Sequence, residues 1–216
     1  MINNIPTFLI SCDELRDRKN AACQYFASQN VNITYWRGFY GNGSGIYTSR
    51  VWHYLSDDPS SYVYITPNMA ALYVNHLFLY QHCLANDYEQ VIVLEDDAHL
   101  EDNWRERMTK MMNVLPKDYD MVYLGWCHEG HERTYKHVVD CLYNEINDCI
   151  FGSHALLISR NGLKILCETA RVLEKPIDVS IYLNSIPKMK YFLCYPSIIT
   201  QKSQNASHEL WKTTLK

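Results

Sequence analysis

The chain has 216 residues, 47% hydrophobic and 20% charged, which suits one packed domain with a sizeable core. A net charge of −4 without a long basic run excludes a nucleic-acid or anionic-membrane surface as the expected partner. The eight cysteines show no C-x-x-C pair and no zinc spacing, so free thiols are expected. The N-terminus lacks a basic-then-apolar signal and no apolar run reaches spanning length, so the expectation is a soluble, cytoplasmic protein.

Thr7 to Cys12 reads as a first strand. Arg18 to Gln29 follows as a helix with Ala22, Tyr25 and Phe26 on one face, and Asn32 to Trp36 alternates as a second strand. The segment Tyr40–Tyr64, rich in Gly, Ser, Asp and aromatics, has no period and is expected to be a long loop. Thr66-Pro67 is a helix start, and Ala70, Tyr73, Val74, Leu77, Tyr80 and Leu84 continue it at helical spacing. Val91 to Leu94 is four consecutive apolar residues, a strand buried on both faces. Asp102 is expected to cap a helix whose stripe is Trp104, Met108, Met111, Met112 and Leu115. Further strands are expected at Met121–Leu124, Ile150–Ile158 and Tyr191–Cys194, with a helix capped by Ser159 between the last two. Strands alternating with helices give an α/β domain, residues 1–216, with a mostly parallel sheet.

The chemistry concentrates in Glu95, Asp96 and Asp97, which follow the buried strand directly. Ligands of open α/β sheets bind beyond the carboxyl ends of strands. Three adjacent carboxylates repel by roughly 1–4 kcal/mol per close pair, a conflict that a hard divalent cation with oxygen ligands removes. The simplest reading is a metal site that also grips a phosphate. An acidic, solvated strand end is the plainer alternative.

Ordered blocks resemble glycosyltransferase family 25, which includes lipooligosaccharide and collagen galactosyltransferases. They are the first strand with Asp13 and Arg18, ITPNMAALYVNHLFLYQHCL, VIVLEDDA, YDMVYLG, FGSHALLISRNGLKILCE, Pro176-Ile177-Asp178, and Pro196 to Gln201 with Ser207 beyond. The chain departs from the family pattern at Ala70-Ala71, Asn75, Val179 and Tyr40-Gly41. The resemblance implies a GT-A fold, Rossmann-like with helices flanking the central sheet. It also implies inverting transfer of a hexose from a UDP-sugar to a saccharide or glycoprotein, dependent on Mn²⁺ or Mg²⁺.

By analogy with D-x-D motifs, Asp97 is the expected direct metal ligand. Glu95, two residues earlier, shares its face if the strand continues, and would bind metal through water or accept from the donor ribose. Asp96 would point the other way, toward a loop or the sugar. The resemblance places Asp178 as the base that deprotonates the acceptor; beginning a short helix is its alternative role. It further implies donor contacts for Arg18, His76 and Gln201, and a late metal ligand in His208. Two other functions remain open: a degenerate relative that binds nucleotide-sugar or glycan without catalysis, and a different phosphate-processing metalloenzyme. The last lacks a P-loop or a phosphatase motif.

Overall fold

A computed structural model describes residues 4–41, 66–127, 135–145, 150–170, 173 and 175–202. Its framework is an eight-stranded sheet in the order β2-β1-β3-β8-β5-β9-β7-β6. The strands are β1 (Thr7–Ser11), β2 (Thr34–Arg37), β3 (Gln90–Glu95), β5 (Met121–Cys127), β6 (Tyr135–Val139), β7 (Leu142–Glu145), β8 (Phe151–Ser159) and β9 (Tyr191–Cys194). β4 (Ala98–Leu100) and β10 (Ile199–Gln201) form a separate antiparallel ribbon. Six strands of the large sheet, β2, β1, β3, β5, β9 and β6, point the same way, while β8 and β7 run against them. The sheet is therefore mostly parallel in direction, as expected, but with a reversed strand wedged into its centre.

That reversal positions the site. β8 pairs antiparallel with β3, Leu94 opposite Ala155, so β8 enters the sheet at the edge where β3 ends. Gly152, Ser153 and His154 thus arrive beside Glu95.

Each face of the sheet is covered by helices because the strands are apolar on both sides. Alternate residues such as Val91, Val93, Tyr123 and Leu156 pack under α2 (Pro67–Ala85) and α4 (Arg160–Thr169). The intervening Ile92, Leu94, Val122 and Leu157 pack under α1 (Arg16–Ser28) and α3 (Trp104–Val114). α2 starts as its sequence dictates, with the Met69 amide donating to Thr66 Oγ1 at 3.3 Å and proline in the first turn. The Ser159 hydroxyl likewise accepts from the Gly162 amide at 3.1 Å to cap α4.

Some expectations are corrected. The N-cap of α3 is Asn103, left-handed at φ 60°, and Asp102 lies in the turn before it. The short strands β4, β6, β7 and β10 were not anticipated, because three to five residues carry too little alternation to stand out. Most of Tyr40–Tyr64 lies outside the described residues. The described cysteines are free thiols. Among the described residues, no helix is long and apolar enough to cross a membrane.

Candidate active site

β3 ends at Glu95, and Asp96 and Asp97 form a tight turn into β4. The strand alternation therefore does not carry through the triplet, and the three carboxylates have three different environments.

Glu95 is buried at 9% exposure and points to the α2 face. Its Oε1 receives the His76 Nε2 contact at 3.0 Å and the Ser153 hydroxyl at 2.6 Å. His76 is held on its other side by Tyr80, with Nδ1 and the phenol oxygen 2.9 Å apart. The helical spacing of His76 and Tyr80, four residues, puts both on the face that meets the sheet. Burial works to lift the Glu95 carboxyl, but His76, Ser153 and His154 together outweigh it and leave the group below its usual value. Glu95 is a held anion inside the site wall.

Asp96 turns toward α1. Its Oδ2 accepts from Ser11 at 2.5 Å, and its Oδ1 pairs with Arg18 at 2.5 Å. The same guanidinium lies 3.2 Å from Asp97 Oδ2. Arg18 thus bridges two of the three acids, and its side chain stays half exposed. Ser11 gave no signal in the sequence beyond ending a strand; only the parallel pairing of β1 with β3 brings it to Asp96.

Asp97 is the strained member. Burial, then the nearby Glu95 and Asp96 charges, push its carboxyl up to about 7 against the pull of Arg18. Its Oδ1 is buried and has no hydrogen-bond partner. An orphaned carboxylate oxygen with a raised affinity for positive charge is the donor that a hard divalent cation takes. Mg²⁺-type sites use one or two protein carboxylates and complete the shell with phosphate oxygens and water, so Asp97 fits such an ion. Among the described residues, no group of three His, Cys, Asp or Glu converges as a ready-made metal cage. His208 lies outside the described residues.

The ribbon of β10 and β4 closes one side of the acidic turn. The Lys202 amide donates to the Asp97 carbonyl at 2.9 Å, and Gln201 pairs with Ala98 in the ribbon. Gln201 Oε1 accepts from the Cys127 thiol at 3.1 Å, tying the ribbon to the end of β5. Close approach depends on Gly125: a Cβ there would sit 2.1 Å from the Ile199 carbonyl oxygen and 2.4 Å from His154 Nε2. Burial lowers His154 below the ordinary imidazole value, with Glu95 acting the other way.

Asp178 lies in the first turn of α5 (Ile177–Ser180), inside the helix rather than at its N-cap, which is Pro176. Its Oδ2 accepts from the Gly152 amide at 3.1 Å and its Oδ1 from the Val179 amide at 2.9 Å. Gly152 has φ 96°, so the amide is presented by a backbone that favours glycine. Burial holds the Asp178 carboxyl above its usual value despite those amides, and the Glu95 charge adds to the rise. The structure therefore gathers Arg18, Asp96, Asp97 and Gln201 around the acidic turn, and Glu95, His76, Ser153 and Asp178 around the start of β8.

Asn75, one of the departures from the family pattern, has a structural task. Its carboxamide accepts from the Phe39 amide at 2.7 Å and donates to the Phe39 carbonyl at 3.1 Å, pinning the chain after β2 to α2.

This arrangement, a mostly parallel sheet with an acidic turn at the edge where a reversed strand enters, is the GT-A glycosyltransferase fold. A solved glycosyltransferase involved in the glycosylation of the major capsid of PBCV-1 shares it, with a TM-score of 0.50, 11% identity and 98% of each chain covered. The profile of glycosyltransferase family 25 (LPS biosynthesis protein) matches residues 4–181, and the chain belongs to that family. Over 71 residues it is 32% identical to the rat (Rattus norvegicus) probable inactive glycosyltransferase 25 family member 3. It is 28% identical over 71 residues to the mouse (Mus musculus) inactive glycosyltransferase 25 family member 3. The matched stretch is 32% of this chain but only 12% of either relative.

Proposed function

We propose that the chain is a metal-dependent, inverting transferase that moves a hexose from a UDP-sugar to a saccharide or glycoprotein acceptor. The observation that carries this reading is the unsatisfied, buried Oδ1 of Asp97 in an acidic turn at the ligand-binding edge of the sheet. Asp97 would hold Mn²⁺ or Mg²⁺, which when bound supplies Lewis-acid neutralisation of the departing diphosphate. Arg18, half exposed and beside Asp97, adds a second positive charge at the same place. Asp96 with Ser11 fixes the orientation of Arg18. Glu95 and His76 brace the turn from beneath, and Gln201 lines its flank.

Asp178 is the proposed base. Each of its oxygens keeps a lone pair beyond the amide it already accepts from. Burial makes the carboxylate more basic than a surface aspartate, which favours taking the proton of an acceptor hydroxyl.

UDP release from a panel of UDP-sugars, with Mn²⁺ and saccharide acceptors, tests the reading. Asp97→Asn is expected to abolish cation-dependent donor binding, and Asp178→Asn to spare binding while removing transfer. No UDP release and no donor binding with any common UDP-sugar would reject it. The second reading is a nucleotide-sugar or glycan binder of the same fold without turnover. The names of the rat and mouse relatives motivate it. Donor binding without UDP release across all acceptors selects it.

A further inference from the structure

Cys141 and Cys194 are remote in sequence but meet at one end of the β7–β9 ladder. Leu142 pairs with Cys194, and the Tyr195 amide donates to the Cys141 carbonyl at 3.0 Å, so Cys141 immediately precedes the residue opposite Cys194. Cys141 lies in the turn between β6 and β7, where its side chain is released from the alternation of a strand. Both side chains pack on the α3 side of the sheet. There the two thiols hydrogen-bond to each other, sulfur against sulfur. A disulfide would shorten a contact that already exists, to about 2.05 Å.

The two sulfurs differ in access. Cys194 is buried at 1% exposure, whereas Cys141 is half-buried and open to a reagent. Charged groups surround the turn: Lys110 Nζ lies 3.1 Å from Asp140, and His137 Nε2 lies 2.8 Å from the Asp140 carbonyl. They differ in acidity too. The Cys194 thiol donates to Cys141 and, against burial and the Asp140 charge, brings the Cys141 thiol down to about 7, with Lys110 helping. The same bond, and then burial, hold the proton on Cys194, with Arg107 acting the other way. A partly exposed, acidic thiol backed by a second thiol is equipped for disulfide exchange. Cys83 beside Cys167 shows the contrast, because Cys83 is sealed at 0% exposure and burial pushes its thiol up to about 12.

We propose that Cys141 and Cys194 form a thiol–disulfide exchange site, which takes a small-molecule disulfide and closes a reversible Cys141–Cys194 bridge. The Cys141 thiolate attacks one sulfur of the small disulfide, whose S–S bond breaks, and the first thiolate leaves with the proton Cys141 has given up. Capping Cys141 removes the charge that retained the Cys194 proton. Cys194 then attacks Cys141 Sγ, and its proton goes to the second thiolate as that leaves. Two protein thiols are oxidised and one disulfide is reduced to two thiols. The bridge staples the β6–β7 hairpin to β9 at the edge of the sheet where β3 also ends, three places along. It requires neither donor nucleotide nor cation.

The test incubates the full chain with oxidised glutathione at about pH 7.5, quenches with acid, alkylates the remaining thiols and maps the cysteines by peptide mass spectrometry. The map also reads Cys149, which lies outside the described residues. The expected main product is a Cys141–Cys194 cross-link that dithiothreitol reverses. Cys194→Ser should stop at a glutathione mixed disulfide on Cys141, and Cys141→Ser should leave Cys194 a free thiol. Without glutathione, brief iodoacetamide treatment should label Cys141 at least about tenfold faster than Cys83. A different cysteine pair as the main product overturns the proposal. So does a mixed disulfide persisting on wild-type Cys141, an unmodified Cys141, or labelling of Cys141 no faster than of Cys83. The wild-type cross-link and labelling order decide the matter even where a serine variant fails to fold. Because the readout is a covalent bond formed without UDP or cation, these outcomes are independent of the UDP-release assay.

Discussion

Replacing Asp97 with asparagine should make the protein more stable while removing the cation ligand proposed for it. In the fold the Asp97 carboxyl is pushed from 3.8 up to about 7 by burial and by Glu95 and Asp96, net of the help from Arg18. Between those values the folded chain binds a proton that the unfolded chain has released, so stability falls as pH rises through this window. Above about pH 7 the penalty is fully present, and a shift of this size corresponds to roughly 4 kcal/mol as an upper bound. Asparagine keeps the shape and removes the charge. Urea unfolding of Asp97→Asn should therefore show a gain of about 1–4 kcal/mol at about pH 8 that shrinks toward zero at about pH 4, where wild-type Asp97 is protonated in the fold. In the same assay Mn²⁺ with UDP should stabilise the wild type and leave the variant unchanged. A variant less stable than wild type at about pH 8, or a gain equal at both pH values, would refute the account of Asp97 as a strained, ionised ligand.

His76→Phe leaves the Glu95 carboxylate buried with Ser153 as its remaining side-chain hydrogen-bond donor, and should cost about 3–5 kcal/mol in denaturant unfolding; a loss below about 1 kcal/mol would show that the pair is not a brace. Gly125→Ala forces a methyl group against the Ile199 carbonyl and His154, so it should destabilise by about 1–3 kcal/mol and weaken UDP binding as β10 and Lys202 move; unchanged calorimetric melting and UDP affinity would contradict this. Asp178→Asn should slow transfer by about 10²–10⁴ with donor affinity preserved. Because burial raises the Asp178 carboxyl, wild-type turnover should fall on the acid side at a pH above that of an exposed aspartate, and the variant's residual rate should lose that limb.

Long, strongly patterned elements were legible in the sequence. The Val91–Leu94 run reads as a strand buried on both faces, and Thr66-Pro67 and Ser159 mark helix starts that the backbone uses. The acidic triplet announced itself because such charge density directly after a buried strand conflicts with packing unless it serves a ligand. Asp102, by contrast, looks like a cap in the sequence, yet the chain places Asn103 there in a left-handed conformation with no side-chain cap hydrogen bond.

By itself, then, the order of residues determined the α/β class and the family, since these follow from local periodicity and ordered motifs. Only the tertiary structure decided what each carboxylate does. Glu95 is a buried partner of His76 and Ser153, Asp96 a partner of Ser11 and Arg18, and Asp97 the acid left with an open oxygen. The reason is physical: β8 enters reversed, α2 lies on one face and α1 on the other, so Glu95 meets partners 19 and 58 positions away and Asp96 one 85 positions away, while Asp97 keeps an unpartnered oxygen. Burial and partnering of a charge depend on those distant groups, and no local pattern encodes them.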